Sequence, residues 1–272
     1  SPQSDFLEMN QKEKIWNYLR PFHSPVTRAL RRKLGKNYHE HPEMELPPPY
    51  EAVQLDVERN LHQYLHVPPE KISRIVIVGA YEADEIRRMR RVFLESQFLC
   101  FEPNPATFQK VVQKYRNCPW VTARKLALSD APGRDRFYEL AAAGNGSLLE
   151  PDAESWAATV RQADKNVTAF EVEISTLDRE AAALPDVDLL WMDVQGAEGK
   201  VLAGGMATLK RTKAVFAEVA LFHSPYKGAQ LFPQISATLQ AQGFTCVGLG
   251  LDAWNGTGNA LFIRQFDSLI SR

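Results

Sequence analysis

Two apolar runs, each closed by a residue that a buried strand seldom carries, constrain this chain more than any other feature. Ile75-Val76-Ile77-Val78 ends in Gly79, and one helix-length further on Phe98-Leu99-Cys100-Phe101 ends in Glu102-Pro103-Asn104-Pro105. Unbroken apolar runs of this length, without polar alternation, fit strands covered on both faces, which is the parallel-sheet case. A strand ending in glycine, a helix, and a second strand ending in an acid form the first half of a nucleotide-binding α/β unit.

The rest of the chain from Ser73 onward repeats this alternation. Strands are expected near 74–79, 97–102, 120–123, 187–193, 214–219, 244–249 and 259–264, with helices near 83–95, 104–116, 197–210 and 229–242. Two further extended pieces, Arg134 to Leu140 and Phe170 to Thr176, make the 124–185 region an elaborated connection. The last two strands are separated only by a Gly- and Asn-containing loop, so they pair antiparallel. The fold class predicted is therefore α/β: a doubly wound, Rossmann-like, mainly parallel seven-stranded sheet with one antiparallel strand. That is the arrangement of class I methyltransferases, and plain dehydrogenase domains lack it.

Residues 1–70 differ in being rich in Arg, Lys, His and Pro, and they are read as a helical appendage to a domain spanning 71–272. Thr27 to Lys36 would present a basic face on a helix, either a solvated surface or an anion site. Pro47-Pro48-Pro49 separates it from a helix expected over Glu51 to His66, which Pro68-Pro69 ends. Net charge is -1, from 32 basic and 33 acidic side chains, so the global positive field that nucleic-acid binding relies on is absent and no nucleic-acid partner is expected. Cys100, Cys118 and Cys246 form no CxxC pair or metal-spaced cluster, and Cys100 reads as a small core hydrophobe. With no apolar stretch of membrane-span length and no signal pattern, a soluble, cytoplasmic protein without a membrane span is expected.

Candidate chemistry gathers at strand ends. Gly79 lets the backbone approach a ligand, and the amides of Ala80, Tyr81 and Glu82 beyond it are placed to hold a carboxylate or phosphate; an ordinary strand-to-helix turn is the alternative. Glu102 closes an apolar strand and needs hydrogen-bond partners to be buried, which a ribose diol supplies. Ser129 and Asp130 either close an Asx-turn or reach an adenine amino group. Asp193 ends the apolar run Leu189-Leu190-Trp191-Met192, Gly196 allows a tight turn after it, and Glu198 falls where it caps the next helix. Glu218 ends the following strand and His223 lies in the loop after it. If these strands are adjacent, Asp193, Glu218 and His223 converge as proton acceptors, or as ligands for a hard or borderline metal. No residue is assigned as a metal ligand on this pattern alone.

Taken in order, Phe101-Glu102-Pro103-Asn104-Pro105, Ala127-Leu128-Ser129-Asp130, Ser175-Thr176-Leu177-Asp178, Met192-Asp193-Val194-Gln195-Gly196-Ala197-Glu198, Phe216-Ala217-Glu218-Val219 and Ala260-Leu261-Phe262 resemble the FkbM-type methyltransferases. The resemblance implies an S-adenosylmethionine-dependent O-methyltransferase acting on a hydroxyl of a small molecule, sugar or lipid. It also implies that Glu102 holds the cofactor ribose, that Ser129 and Asp130 border the adenine, and that Asp193 lies near the methyl group. The chain departs from the family pattern Asp-Val-Gly-Ala-Asn-x-Gly, with Ile77, Tyr81 and Ala83 in place of the acid, the asparagine and the second glycine. Trp191 replaces the usual lysine, and Gln195 the usual glutamate. These changes reduce local charge and hydrogen bonding, with Glu82, Asp84 or Glu85 as substitute acids. They motivate an alternative: a methyltransferase-like fold, its first-turn pocket filled by Tyr81 or Glu82, that serves as a non-catalytic binding module or partner subunit.

Overall fold

The computed structural model describes residues 55–140, 144–152, 167–251 and 256–264. In chain order its elements are α1 (Val57–Tyr64), β1 (Arg74–Val78), α2 (Asp84–Arg90), β2 (Gln97–Phe101), α3 (Pro105–Tyr115), β3 (Val121–Arg124), β4 (Ala127–Leu128), β5 (Gly133–Leu140), β6 (Val167–Ser175), α4 (Leu177–Glu180), β7 (Val187–Met192), α5 (Glu198–Ala203), α6 (Met206–Leu209), β8 (Thr212–Ala220), α7 (Phe232–Ala241), β9 (Phe244–Leu251) and β10 (Thr257–Arg264). A seven-stranded sheet has the order β3-β2-β1-β7-β8-β10-β9, and β4-β6-β5 form a separate three-stranded sheet. Within the large sheet only β10 is reversed, pairing antiparallel with both β8 and β9. This is the class I methyltransferase topology expected from the sequence.

Both faces of the central strands are covered, which is why β1 and β7 carry almost no polar residue. One apolar layer contains Val76, Val78, Leu190, Val201, Phe232 and Phe262. The opposite layer contains Ile75, Ile77, Phe98, Cys100, Ile86, Met89 and Phe93. Each such side chain removed from water contributes about 1.5–3 kcal/mol. Cys100 packs as expected, with burial pushing its thiol up to about 12.

Helix α1 belongs to the second layer. Asp56 caps it by accepting from the amide of Arg59 at 3.2 Å, Val57 and Leu61 are buried in the layer shared with α2, and Glu58 pairs with Arg88. The boundary expected at residue 70 therefore cuts through a shared core, and Leu61→Ala should cost about 2–5 kcal/mol. The earlier appendage, including the basic run 27–36 and the prolines 47–49, lies outside the described residues.

Several elements are shorter or longer than their sequence pattern. Helix α2 stops at Arg90, because the chain must turn to bury Phe93 and Ser96, whose hydroxyl donates to the carbonyl of Ile72 at 2.8 Å. The helix expected over 197–210 breaks into α5 and α6 at Gly204-Gly205. A Cβ on Gly204 would lie 2.1 Å from the carbonyl oxygen of Ser129, so this crossing requires glycine. The two extended pieces are a long hairpin, β5 paired with β6 from Gly133 to Leu140. Its outward polar residues hid its length from a search for apolar runs.

Candidate active site

Register alone brings four of the expected residues into one row. Val78 pairs with Phe101 on one side and with Met192 on the other, and Met192 pairs with Ala217. The next residues along, Glu102, Gly79 and Asp193, therefore follow the ends of β2, β1 and β7, while Glu218 lies level with them inside β8, which runs two residues further, to Ala220, because β10 pairs with it there. Strand order reverses between β1 and β7, the switch point at which open α/β sheets bind ligands.

The turn after β1 keeps an unusual backbone. Gly79 has φ +81°, and a Cβ there would sit 1.8 Å from the carbonyl oxygen of Asp193. Tyr81 and Ala83 also have positive φ, 46° and 54°. These are the two positions at which the family pattern has asparagine and glycine, residues that tolerate the left-handed region. The turn has thus kept its path while losing the residues that make it comfortable, at a cost of roughly 1–2 kcal/mol per residue. Of the amides expected to hold an anion, those of Ala80 and Tyr81 are engaged within the protein. Those of Gly79 and Ala80 donate to Phe101 at 3.1 and 3.0 Å, and that of Ala83 to Ala80 at 2.6 Å. The Tyr81 amide donates to Glu102.

Glu102 is fixed from both sides, its Oε2 accepting from the Tyr81 amide at 2.8 Å and its Oε1 from the Asn104 amide at 2.9 Å. Asn104 in turn caps α3 through Ala106 and Thr107, and its Nδ2 donates to Glu139 at 2.7 Å. Burial pushes the Glu102 carboxyl up to about 7, the two amides offsetting part of that rise. Each oxygen keeps a lone pair for a ligand hydroxyl.

A cavity open to solvent on one side lies over this row, with Gly79, Tyr81, Glu102, Asn104, Glu139 and Asp193 among its walls. Leu126, Ala127 and Leu128 form an apolar wall, with Phe137 and Leu148 from the hairpin region facing the same space. Among the described residues three carboxylates line it, and no Lys, Arg or His does. A site of this charge suits a cation and repels a pyrophosphate.

Asp193 and Glu218 form the chemically distinctive pair. Gln195 Nε2 donates to both, at 2.9 Å to Asp193 Oδ1 and 2.7 Å to Glu218 Oε2. Burial, then the nearby charges of Asp193 and Glu198, hold the Glu218 carboxyl well above the usual range. Asp193 is raised too, because protein surrounds it closely although solvent reaches it through the open cavity. Glu218 is the deeper member and keeps the proton, which leaves Asp193 as the carboxylate facing the cavity. Glu198 accepts from the Val194 amide at 3.1 Å, the capping role expected of it, and burial pushes it up to about 7.

Other expected residues fall outside the cavity. Ala80 is buried beneath the turn, and Glu82 turns away to Lys110 at 2.9 Å. Ser129 is buried, its hydroxyl bonded to Asp130 at 2.9 Å, and neither residue lines the cavity; the chain turns there to pack on Gly204. His223 is exposed in the loop after β8 and is not a wall residue. Among the described residues no group of three His, Cys, Asp or Glu stands at metal-ligating spacing, so Asp193, Glu218 and His223 do not assemble the metal site weighed above. Of the substitute acids, Asp84 pairs with Lys114 at 2.8 Å. Glu85 is pushed up to about 7 chiefly by burial, and feels the charge of Asp193. Glu139 and Gln195 were missed as contributors, since a cross-sheet bond leaves no local sequence signal.

A sequence model of the methyltransferase FkbM domain matches residues 78–246, more than half of the chain. The chain belongs to the FkbM methyltransferase family. It is a S-adenosylmethionine-dependent methyltransferase, and its relatives point to O-methylation. The 2-O-methyltransferase NoeI of Sinorhizobium fredii is 30% identical over 177 residues, which cover 60% of this FkbM chain and 69% of NoeI. Solved structures of similar topology include Aeropyrum pernix fibrillarin with natively bound S-adenosyl-L-methionine, with TM-score 0.43, 10% identity, and coverage of 72% of this chain and 69% of that one. A putative O-methyltransferase from Klebsiella pneumoniae has TM-score 0.44 and 12% identity, covering 93% and 97%. No helix among the described residues is long and apolar enough to cross a membrane.

Proposed function

We propose that this FkbM protein methylates a hydroxyl of a small molecule, with a sugar or a sugar-bearing lipid as the preferred acceptor class. The observation that carries the reading is the cavity at the switch point, with Glu102 at its rim and no basic side chain in its wall among the described residues. S-adenosylmethionine supplies a methyl group on a positively charged sulfonium, and its net charge fits that wall. Glu102 would accept from the ribose hydroxyls, and Leu126 to Leu128 would pack on the adenine face. Asp193 is the group best placed to receive the proton of the acceptor hydroxyl, with Glu218 behind it holding its own proton. The chemistry needs alignment and modest proton acceptance, which a preorganised carboxylate provides.

The acceptor class rests on the 2-O-methyltransferase relative, together with the two segments that flank Asp193. Residues 147–152 are tied to the loop after β8: the Asp152 amide donates to Pro225 and the Lys227 amide to Glu150, at 2.8 and 2.9 Å. The alternative of a non-catalytic module required Tyr81 or Glu82 to fill the methionine region. An open cavity, with Glu82 paired to Lys110, counts against it.

The test is incubation with S-adenosylmethionine and a panel of glycosides, glycolipids and simple alcohols, followed by detection of S-adenosylhomocysteine and of methylated product. Methyl ether formation on a sugar hydroxyl is expected. Methylation confined to nitrogen acceptors, or cofactor binding without turnover on any hydroxyl, would overturn the assignment.

A further inference from the structure

Gln195 stands where the family pattern has a glutamate, and sequence reading takes this as a loss of hydrogen bonding. The structure reverses that view. Gln195 has φ +55° and is followed by Gly196 at φ +93°. Two successive left-handed residues fold the chain back, so that the Gln195 side chain returns over the ends of β7 and β8. Its Nε2 reaches Asp193 and Glu218 together. Its Oε1 accepts from the Tyr226 hydroxyl at 3.0 Å, and its main-chain carbonyl accepts from Ser147 Oγ at 2.8 Å. Reversed, the amide would present its oxygen to the Asp193 carboxylate, so the orientation with Nε2 toward the pair is the favourable one. Tyr226, in the loop after β8, favours that orientation, its single hydroxyl proton being shared between Gln195 Oε1 at 3.0 Å and the carbonyl oxygen of Asn145 at 3.2 Å.

Neither Asp193 nor Glu218 has a basic ion-pair partner among the described residues. The ionisable groups facing the pair are Glu198 from α5, Glu85 from α2 and Tyr226, so none is a cation. Two carboxyl groups this close cannot both ionise without a bridging proton, cation or donor. Here the two carboxyl groups hydrogen-bond to each other directly, which lowers Asp193 and raises Glu218, and the neutral Gln195 amide donates to both without adding charge.

We propose that Gln195, contacted by Tyr226, is the positioning residue of this site: by donating to both members it holds the Asp193–Glu218 pair in the alignment in which Glu218 gives its proton to the hydrogen bond between them, so that the carboxylate facing the cavity is that of Asp193. The role of the pair in methyl transfer rests on the function proposed above, but the division of charge does not. In a chain with glutamate at this position a third acid would enter the cluster, and the pair would need another way to hold its charge.

The test is carbon-13 NMR of the side-chain carboxyl carbons, titrated in the wild-type protein and in Gln195→Met and Tyr226→Phe. In the wild type Asp193 titrates below Glu218. Gln195→Met is expected to raise the Asp193 midpoint by about one unit or more, through loss of a donor to its ionised form, and Tyr226→Phe to raise it by less. Midpoints that stay at their wild-type values in both variants, with the fold intact by circular dichroism, would overturn the proposal. A second arm measures S-adenosylmethionine and S-adenosylhomocysteine affinities at pH 7.5. Gln195→Met should cut the preference for the charged sulfonium about fivefold and leave the homocysteine affinity unchanged. An unchanged preference contradicts charge division at Asp193. Failure of the wild type to bind either compound sinks the cofactor reading alone, and the NMR result still decides this proposal.

Discussion

Ile77 on β1 and Trp191 on β7 are in-register neighbours on adjacent parallel strands. Side chains paired in this way share a face, and both pack in the apolar layer beneath α1 and α2. In the family pattern the same two positions hold aspartate and lysine. What read as two independent losses is therefore one exchange, a charged neighbour pair for an apolar one. Trp191 also stacks on Phe216 of β8, with ring centroids 4.4 Å apart. Such exchanges are often neutral or stabilising, whereas restoring one charge alone leaves it buried and unpaired. Ile77→Asp should cost about 3–5 kcal/mol in urea unfolding, and adding Trp191→Lys should recover part of that loss. Additive costs in the double variant would show that the pair is not coupled.

The first turn offers a stability test of a different kind. Ala83 has φ 54° and ψ 37° and caps α2 without a side-chain bond. Ala83→Gly removes the steric cost of that conformation, so a net gain of about 0.5–1 kcal/mol is expected after the entropy penalty of glycine. A thermal scan showing a lower Tm would mean that the turn does not adopt this path in solution.

Gly79 and Gly228 separate backbone strain from collision. Both have positive φ, but a Cβ on Gly228 meets nothing within 4 Å, whereas one on Gly79 strikes the Asp193 carbonyl. Gly228→Ala should cost about 1 kcal/mol. Gly79→Ala should prevent folding or cost several times more, as read by expression yield and denaturant midpoint.

How much of this was legible beforehand follows from the physics of each element. Strands β1, β2 and β7 were readable because their apolar runs are unbroken and end in Gly79, Glu102 and Asp193. The row of acids at the strand ends followed from strand adjacency, which the sequence made plausible and the register supplies. That Ser129 and Asp130 stand outside the cavity wall was not legible, because their direction depends on the crossing of Ser129 with Gly204, 75 residues away by numbering. Gln195 was undervalued for the same reason: its partners Glu218 and Tyr226 lie on other elements, and its left-handed backbone has no signature in a non-glycine residue.

Stability should also depend on pH in a direction that Glu102 helps to set. Its carboxyl rises from 4.5 in the unfolded chain to about 7 in the fold. A raised acid stabilises the fold fully below the lower value and loses that contribution as pH climbs to the higher one. The protein without ligand should therefore lose stability between about pH 4.5 and 7, with Glu85 and Glu198 acting in the same sense. Glu102→Gln should flatten that decline by about 1–3 kcal/mol. An identical pH slope would place Glu102 in a more solvated setting.

The most direct measurement of the central claim is calorimetric titration of S-adenosylmethionine into the wild-type protein and into Glu102→Ala. Binding of one equivalent is predicted, weakened at least tenfold in the variant through loss of the charged acceptor for the ribose, a difference of about 1.4 kcal/mol. No binding to the wild type at millimolar concentration, or equal affinity in the two proteins, would contradict the account.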